Sequence, residues 1–586
     1  MARPHRILFV ALAVALVVLA VIQVVVTVRT NVWQGQFFDA LEQRDVARAL
    51  NLALAFVGLA AAATACYAAQ IYVKMRAQTE WRRALTTLLL GRWLTPGRPY
   101  QLAATGDIDN PDHRATEDTR MACETSVDLL AGLVNAALLL VSFAGILWSL
   151  SVPLRLPIGV SVPGYLLWAA LLYAGLGSLT TYLMGRALVG LANERNRSEG
   201  DFRFSLAGVR ENAEPIALLR GEQTENERLV RRYGAIYSIA RRLIRRTTMV
   251  SGITGAYATA APFVPILVTA PQYLAGEISL GGMMQAAAAF MQVHIALSWF
   301  VDNFTRIADW RAALARIATF LDSIDDLGAG IGEPDDAIAI TVGDGPSIRL
   351  VDLDVAAPSG EIVIRGATAE IASGERVLVI GESGTGKSSL ARAVAGIWPW
   401  GRGRIELPEG VTLMVMPQRP YIPGETLREA LAYPQPVDAF SVDVVRAALT
   451  RVGLDHLIDR IDGEENWVRT LSGGELQRLA FARVLLHKPA WVFMDEATAA
   501  LDDEAQAEML ALFDNELAGT SIISIGHRPE LEAFHTRTIT LVRGEDGARL
   551  TRRKGRSRSS PGARGRAHPL RRLIAVIAPR RGKPRD

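Results

Sequence analysis

One glycine-rich segment carries the clearest chemical signal in the chain. It reads Gly381-Glu382-Ser383-Gly384-Thr385-Gly386-Lys387-Ser388 and continues as Ser389-Leu-Ala-Arg, a pattern typical of a helix. The apolar run Arg376-Val-Leu-Val-Ile380 before it predicts a buried strand. A strand, a glycine-rich loop and a helix in this order form a phosphate-binding loop, whose backbone N–H groups and helix N-terminus hold phosphate groups. We expect Lys387 to contact the β- and γ-phosphates of a nucleotide and Ser388 to contact Mg²⁺.

Two carboxylates end a second apolar run further along the chain. The run is Trp491-Val-Phe-Met-Asp495-Glu496. Asp495 is expected to support Mg²⁺ through water, and Glu496 to polarise the attacking water as a general base. Gln418, in Met416-Pro-Gln-Arg-Pro-Tyr, can reach both the Mg²⁺ and this water. Paired acids at a strand end and a single glutamine are common in proteins. The interpretation as an ATPase site therefore depends on the order in which these and the other motifs occur along the chain.

Three more motifs complete that order. They are Leu471-Ser472-Gly473-Gly474-Glu475, then Ala500-Leu501-Asp502, then His527 directly after the apolar run Ser521–Ile525. Together with the phosphate loop this sequence resembles the ATPases of the ATP-binding-cassette (ABC) family, and Leu471–Glu475 resembles their signature. The resemblance implies ATP as the nucleotide, Asp502 in the D-loop, and a hydrogen bond from His527 to the γ-phosphate.

The resemblance also implies a quaternary structure. In ABC proteins the signature completes the ATP site of the partner, so Ser472, Gly473 and Gly474 of one chain would close over the phosphates held by Lys387 of another. One ATPase segment per chain therefore predicts a homodimer. The aromatic that often stacks on adenine is missing from Val355-Ala-Ala-Pro-Ser-Gly360, so apolar contact or an aromatic from elsewhere must hold the base.

The first half of the chain is built differently. Half of all residues are apolar although 21% are charged, and the mean hydropathy is +0.19, which suits a membrane domain joined to a second domain. Two cysteines, Cys66 and Cys123, are too few for a disulfide scaffold or a metal cluster. Six apolar runs are long enough to span a bilayer. They are 7–28, 50–73, 126–150, 163–190, 247–274 and 283–301.

Charge orients these spans. With the N-terminus inside, the inner segments hold 23 Lys and Arg and the outer loops hold four. The positive-inside rule therefore places both long polar segments in the cytoplasm. We expect reversals at Asn110-Pro111 and near Glu214-Pro215, with helices extending beyond the bilayer. The predicted fold is an all-α membrane domain of exporter type followed by an α/β P-loop NTPase domain, in a bacterial inner membrane with the ATPase in the cytoplasm.

The predicted domain boundaries follow changes in composition. We expect a transmembrane domain at 1–321, a linker at 322–346, the ATPase at 347–550 and a tail at 551–586. The tail holds 13 of the 63 Lys and Arg and one of the 60 acids. Its composition predicts disorder, and anionic lipid could hold it.

Polar side chains within the spans are candidates for a solute path or for helix–helix contacts. They are Gln70, Asn135, Thr180, Thr181, Tyr182, Thr254, Tyr257, Gln285 and Gln292. His294 lies well inside the sixth span, and a satisfied packing histidine is favoured over a proton or substrate role. No cluster of fixed charges is apparent in the spans.

A more specific resemblance lies in three membrane segments. Asn31–Leu41 with Arg44-Asp45, Asp109–Arg114 with Glu117-Asp118, and Gly276–Trp299 resemble SbmA/BacA-type transporters. Ile397-Trp398-Pro399 and Gly526–Pro529 resemble the ABCD, or peroxisomal acyl-CoA, group. The chain thus resembles the YddA-like branch, which joins the two.

The resemblance leaves two transport functions open. The first is ATP-driven movement, inward, of peptides or other sizeable polar solutes of the antimicrobial-peptide, bleomycin or cobalamin type. The second is transport of acyl-CoA or lipid, to which Arg241-Arg242 and Arg245-Arg246 could contribute. A soluble ABC ATPase acting on nucleic acid is disfavoured, because six apolar spans share the chain.

Overall fold

The structure, a computed structural model, describes residues 3–106, 110–151, 154–155, 161–329, 337–343, 345–424, 426–526 and 528–553. The chain divides into two compact units, Met1–Asp326 and Leu327–Asp586.

The first unit is helical. A short strand pair, β1 (Leu154–Arg155) and β2 (Ser161–Val162), lies between its fifth and sixth helices. The helices are α1 (Arg3–Glu42), α2 (Val46–Trp93), α3 (Arg98–Thr105), α4 (Pro111–His113), α5 (Thr119–Leu150), α6 (Tyr165–Glu211), α7 (Ala213–Leu218), α8 (Glu222–Ala260), α9 (Phe263–Leu274), α10 (Leu280–Asp302) and α11 (Phe304–Ala329).

Five helical segments of the described chain are long and apolar enough to cross a membrane. They are Ile7–Glu42, Val46–Trp93, Pro111–Leu150, Glu222–Leu274 and Leu280–Leu327. The predicted fourth span falls on α6, in which the apolar helix Tyr165–Thr181 is described. The predicted fifth span is divided between α8 and α9. Pro262 and Pro265 lie just after the end of α8, and because proline has no backbone N–H they interrupt the helical hydrogen bonds there.

Both predicted reversals coincide with breaks between helices. Asn110 adopts a left-handed conformation, φ 50°, and Pro111 begins α4. Pro215 lies within the short helix α7, and the chain turns back over 212–221. We call α6, α7 and α8 the long hairpin. Its two arms run antiparallel, since Arg242 pairs with Glu194 at 2.7 Å and Arg232 donates to the Asp201 carbonyl oxygen at 3.0 Å.

The helices of the first unit share an apolar core and a few polar ties. Phe143, Leu147, Leu166, Phe290 and Val293 are fully or almost fully buried together. The predicted outer segments of α1 and α10 also join directly. The Gly281 N–H donates to Asp39 Oδ1 at 2.9 Å, and the Asn31 amide donates to the Gln285 carbonyl oxygen at 3.0 Å.

The second unit is an α/β domain with two sheets. The six-stranded sheet has the order β12-β11-β6-β10-β9-β8 and the four-stranded sheet the order β3-β7-β4-β5. The strands are β3 (Ala339–Gly343), β4 (Ile348–Ala356), β5 (Ile362–Ile371), β6 (Arg376–Gly381), β7 (Gly401–Pro408), β8 (Leu413–Met416), β9 (Trp491–Asp495), β10 (Ser521–Ile525), β11 (Arg537–Val542) and β12 (Arg549–Arg553). The helices are α12 (Lys387–Val394), α13 (Leu427–Ala432), α14 (Val442–Arg451), α15 (Trp467–Thr470), α16 (Gly473–His487), α17 (Asp503–Ala511) and α18 (Pro529–Phe534).

The parallel register of the larger sheet brings three strand ends together. Ile525 of β10 pairs with Asp495 of β9 on one side and with Val379 of β6 on the other. All five residues of β10 are buried, as are the first four of β9. The loops after β6, β9 and β10 therefore leave the same edge of the sheet, where ligands bind in open parallel sheets.

Three elements do not follow the predicted domain boundaries, and one of them is β3, which lies within the predicted linker. Helix α11 continues to Ala329, into the predicted linker, because no proline follows until Pro334. Thr551–Arg553 belong to β12, in which Thr551 pairs with Thr540 of β11, so the predicted disorder does not hold for these three residues. The rest of the predicted tail lies outside the described residues.

Candidate functional site

The phosphate loop has the predicted setting. β6 ends at Gly381 and α12 begins at Lys387. Gly386 has a φ of +88°, and a Cβ there would lie 2.6 Å from Val363 Cγ1, so a larger residue is excluded on two grounds. The ammonium group of Lys387 donates to the carbonyl oxygens of Gly381 and Glu382, each at 2.8 Å.

Four of the predicted catalytic and metal-binding side chains meet beside this loop. Ser388 Oγ lies 3.5 Å from Asp495 Oδ1, and the Gln418 amide donates to Glu496 Oε2 at 2.8 Å. Asp495 and Glu496 directly follow the buried part of β9. Glu496 has a φ of +50°, which is uncommon for a residue with a side chain and occurs preferentially at functional sites. Its N–H donates to the Ile525 carbonyl oxygen at 3.1 Å, which fixes it to the end of β10.

The signature begins a helix through a capping box. The Ser472 hydroxyl accepts from the Glu475 N–H, and Glu475 Oε2 accepts from the Ser472 N–H at 2.8 Å. The hydrogen bond from the Ser472 hydroxyl is the largest of the contacts that lower the pKa of Glu475, and His456 adds to it. A Cβ at Gly474 would lie 3.3 Å from the Ala500 carbonyl oxygen, so the signature and the D-loop are neighbours.

The D-loop is held in place by two residues that sequence reasoning missed. Gln477, only 3% exposed, accepts from the Ala500 N–H at 2.9 Å. The Arg528 guanidinium donates to the carbonyl oxygens of Ala499 and Leu501 at 3.1 and 3.0 Å. Asp502 ends the loop by accepting from the Ala505 N–H at 2.8 Å. Only the position of Arg528 beside His527 could have suggested it, and nothing in the pattern around Gln477 does so.

The predicted γ-phosphate contact, His527, lies outside the described residues.

The segment without an aromatic, Val355–Gly360, adjoins two tryptophans. The Trp398 indole N–H donates to the Ala356 carbonyl oxygen at 2.7 Å, and the Ala356 N–H donates to the Trp400 carbonyl oxygen at 3.0 Å. The Trp398 side chain of the Ile397-Trp398-Pro399 motif therefore adjoins the strand end that was expected to lack an aromatic, and Trp400 is joined to it through the backbone.

Three of the polar residues predicted to line a solute path donate hydrogen bonds to helix backbone carbonyls. The hydroxyls of Thr180 and Thr254 donate to the carbonyl oxygens of Leu176 and Val250, one turn earlier. The Gln70 amide donates to the Leu19 carbonyl oxygen at 2.9 Å. The side chain of Tyr182 is not among those described. These contacts favour a helix-packing role for Thr180, Thr254 and Gln70.

One polar cluster in the spans has a different character. Tyr173 of α6 and Tyr257 of α8 stack with ring centroids 4.1 Å apart, and each hydroxyl donates to the backbone carbonyl of the other residue. The His294 ring of α10 meets both edge-on, at 5.6 and 5.5 Å. Its Nδ1 is buried with no hydrogen-bond partner among the described residues. The ring is packed as expected, but its Nδ1 is not satisfied by any described residue. We call these three residues the tyrosine–histidine cluster.

Fixed charges do meet at the inner edge of the spans, contrary to expectation. Asp128, inside the predicted third span, pairs with Lys74 at 3.2 Å and with Arg306 at 2.7 Å. The Gln78 amide donates to the same carboxylate at 3.0 Å. Pairing of this kind is what makes ionised groups tolerable near a bilayer.

The fold and the sites define a membrane-embedded, ATP-driven transporter. Residues 5–274 match the family described as ABC transporter transmembrane region 2, and residues 364–499 match the family described as ABC transporter. An ABC transporter ATP-binding protein of Synechocystis is 35% identical over 481 residues, 80% of this chain and 70% of that one. The chain therefore belongs to the ABC transporter family.

Further matches place it within that family. The inner membrane ABC transporter ATP-binding protein YddA of Escherichia coli is 29% identical, covering 88% of this chain and 91% of that protein. The human lysosomal cobalamin transporter ABCD4 is 28% identical, covering 79% and 80%. The fold resembles that of a bacterial Atm1-family ABC exporter with ATP bound, with a TM-score of 0.73, 21% identity and coverage of 92% and 94%.

These relationships confirm the predicted fold class and the predicted ATPase. The chain is a multi-pass membrane protein that binds ATP and couples ATP hydrolysis to transport, and it is related to YddA and to the ABCD transporters. The finer resemblance to SbmA/BacA-type transporters, the individual site residues and the domain boundaries stay predictions.

Proposed function

We propose that two copies of this chain form the working transporter and share two ATP sites. The observation that supports this is the tip of the long hairpin, where Leu218 and Leu219 are 77% and 83% exposed. Adjacent apolar side chains that are this exposed are typical of a surface that contacts a partner. A second copy is the simplest partner, since most oligomers are symmetric. Ser472, Gly473 and Gly474 would then close the site formed by Lys387 of the other chain.

The residues beside the phosphate loop suit Mg²⁺ as the partner of ATP. Ser388, Asp495 and Gln418 offer only oxygen donors, which Mg²⁺ prefers, and it binds through few protein ligands while keeping several waters. We propose that these three would hold the ion, which when bound neutralises charge on the β- and γ-phosphates. Glu496 is proposed as the general base and His527 as the γ-phosphate contact. The hydrogen bond from Gln418 orients the Glu496 carboxylate.

We propose that the solute is a sizeable polar molecule, of the peptide or cobalamin type, and that it moves inward across the inner membrane. The tyrosine–histidine cluster supports a polar path, because a buried imidazole with an unpartnered nitrogen is expensive in a membrane unless it serves function. The relative named as a cobalamin transporter supports the solute class. The inward direction rests on the similarity of 31–45, 109–118 and 276–299 to SbmA/BacA-type transporters. The basic inner segments and the relative named as an inner membrane protein support an ATPase domain in the cytoplasm.

One observation favours the lipid or acyl-CoA alternative. An apolar groove of about 670 Å³ lies between α1, α2 and α5, lined by residues that include Phe9, Leu16, Trp81 and Leu130. A groove of this composition fits a hydrocarbon chain rather than a polar solute.

Transport into vesicles separates these possibilities. Right-side-out and inverted membrane vesicles would be given labelled cobalamin, a labelled peptide and labelled acyl-CoA, with ATP supplied on the side of the ATPase domain. We expect ATP-dependent uptake of a polar solute into right-side-out vesicles only, and none with Glu496→Gln. Accumulation in inverted vesicles would reverse the direction, and transport of acyl-CoA alone would favour the groove.

The tyrosine–histidine cluster has a matched control on its own helix. His294→Ala should lower uptake of the polar solute while the basal ATPase rate is kept. Ile295→Ala, which removes a side chain that is 52% exposed, should leave both unchanged. Equal uptake by the two variants would remove the cluster from the solute path.

A further inference from the structure

Helix α11 is tied to α2 and α5 by side chains along its whole length. It is the last helix before the ATPase region in the sequence. The ties are Arg306 to Asp128 at 2.7 Å, Trp310 to Ser126 at 2.7 Å, Arg316 to Asp118 at 2.6 and 2.8 Å, and Asp325 to Arg92 at 3.0 Å. We call these four contacts the α11 ladder.

The third contact of the ladder differs from the others in burial and geometry. Asp118 is only 1% exposed, whereas both partners of the Arg92–Asp325 pair are largely exposed. The Arg316 guanidinium meets the Asp118 carboxylate with two parallel hydrogen bonds, from Nε and from Nη2. A bidentate pair of this kind fixes distance and orientation together. Its loss leaves a buried carboxylate without its counter-charge, so the two helices cannot separate there at low cost.

The backbone around Asp118 is also specialised. Residues Arg114–Asp118 form a π-helical turn at the start of α5, a feature that is rare and often found at functional sites. The Thr119 hydroxyl donates to the Arg114 carbonyl oxygen at 2.8 Å. The Arg114 guanidinium donates to the Arg316 carbonyl oxygen at 3.2 Å. The pair is thus reciprocal, since each segment supplies an arginine to the other.

We propose that Asp118 and Arg316 are positioning residues for coupled transport. They connect α11, which precedes the ATPase region in the sequence, to the π-helical turn directly before α5, which contains the predicted third span. A displacement of α11 that follows ATP binding would be passed to α5 through this pair, because it alone in the ladder combines a buried carboxylate with two parallel hydrogen bonds. The exposed Arg92–Asp325 pair would contribute little, as is usual for surface ion pairs.

The test measures the response of the outer end of the membrane domain to ATP and needs no knowledge of the solute. Spin labels would be attached to Ala275→Cys, an exposed position before α10, in protein with Cys66 and Cys123 replaced by Ala and with Glu496→Gln to prevent turnover. In the parent we expect Mg-ATP to change the distance between the two labels of a dimer. Asp118→Asn should bind ATP with the parent's affinity. The factor by which ATP shifts its conformational equilibrium should be at least about fivefold smaller than in the parent, which is the lower end of typical coupling between sites.

The controls separate coupling from folding. Asp325→Asn should respond to ATP like the parent. Arg316→Lys keeps the charge but loses the two-point geometry, so it should also weaken the response, and it serves if Asp118→Asn does not fold. The double variant Asp118→Asn/Arg316→Gln should respond no worse than Asp118→Asn, since one pair is lost in both. A full response from either Asp118→Asn or Arg316→Lys would overturn the proposal. The proposal rests on the homodimer, so a parent whose labels show no dipolar coupling would contradict the homodimer, whereas coupled labels whose distance does not change with ATP would contradict this proposal alone.

Discussion

At the scale of single residues, the structure places the proposed chemistry in strained and constrained positions. Glu496 combines a left-handed backbone with a carboxylate that accepts from Gln418. Its N–H is bonded to the end of the neighbouring strand β10. Because both the backbone and the carboxylate of Glu496 are hydrogen-bonded, its side chain is oriented before the nucleotide binds. Such preorganisation is a general source of catalytic rate.

The role of Glu496 can be tested with an isosteric change. Glu496→Gln should leave ATP binding intact, because Glu496 follows β9 and is not part of the loop 381–388 that is predicted to hold the phosphates. Turnover should fall by about 10²–10⁴-fold, the usual effect of losing a positioned general base. Steady-state ATPase rates and equilibrium binding of a fluorescent ATP analogue measure the two properties. Near-normal hydrolysis would exclude the residue as the base.

A second residue makes the stability of the ATPase domain depend on pH. Burial lowers the pKa of His535 to about 4, although Nδ1 and Nε2 lie 2.6 and 2.8 Å from the Leu531 carbonyl oxygen and Ser524 Oγ. The unfolded chain would titrate near 6.5, so the neutral ring stabilises the fold fully above that pH. As pH falls from 6.5 toward 4 the unfolded state binds the extra proton, and stability decreases by about 2 kcal/mol at pH 5.

This pH dependence is measured by unfolding the full-length protein in detergent at several pH values, followed by tryptophan fluorescence. His535→Gln should flatten the loss of stability between pH 6.5 and 4. His113→Gln, at an exposed histidine of the first unit, is the control and should keep the loss. An equal slope for both variants would assign the effect to other groups.

The residues that sequence reasoning found and missed differ in one physical respect. Lys387, Ser388, Asp495 and Glu496 belong to local patterns, a loop after a strand and acids at a strand end, which can be read in a few consecutive letters. Gln477, Arg528 and Asp118 act through partners far away in the sequence. Gln477 carries no local signal, and the sequence analysis includes Arg528 and Asp118 only within motifs of resemblance, so tertiary contacts alone reveal what the three side chains do.

At the scale of elements, the parallel sheet explains why distant motifs form one site. The motifs after β6 and β9 stand more than a hundred residues apart in the sequence, yet both strands pair with β10 in register. Apolar runs were sufficient to predict these strands and most of the spans. They did not predict the division of the fifth span at Pro262, the extension of α11 or the strand β3, because helix ends and short strands depend on contacts beyond the run itself.

Replacement of Gly386 tests whether the backbone conformation of the phosphate loop, between β6 and α12, is needed for ATP binding. Gly386→Ala places a methyl group at a φ of +88° and 2.6 Å from Val363 Cγ1, so the loop must distort. We expect a loss of stability of about 1–3 kcal/mol, together with a clear loss of ATP affinity. Gly374→Ala is the matched control, since its φ is +77° and the space around it is open.

Thermal unfolding and nucleotide titration separate the two effects. The control should lose some stability and keep the parent's affinity for ATP. Should Gly386→Ala bind ATP as well as Gly374→Ala, the close approach of the loop to β5 would have no part in nucleotide binding.

At the scale of the whole molecule, the chain offers one copy of each region that the proposed dimer would use twice. It has one ATPase region and one set of membrane helices. In the described chain the tip of the long hairpin presents Leu218 and Leu219 to solvent. The signature lies at the start of α16, where the Ser472 cap engages the Glu475 N–H, and the N–H groups of Gly473 and Gly474 remain at the helix start to bind phosphate. These features together motivate the shared ATP sites.

Mixed dimers give the most direct test of those shared sites. Two chains would be joined covalently, one with Lys387→Ala and the other with Ser472→Arg. If the signature of each chain completes the site of the other, both changes damage the same site and leave the second whole. We then expect vanadate trapping of about one Mg-nucleotide per dimer, half that of the unmodified pair. Placing both changes in one chain is the matched control, because each site then loses one component and trapping should disappear. The opposite pattern, with trapping kept when both changes share a chain and lost when they are separated, would mean that the signature acts on the ATP bound by its own chain.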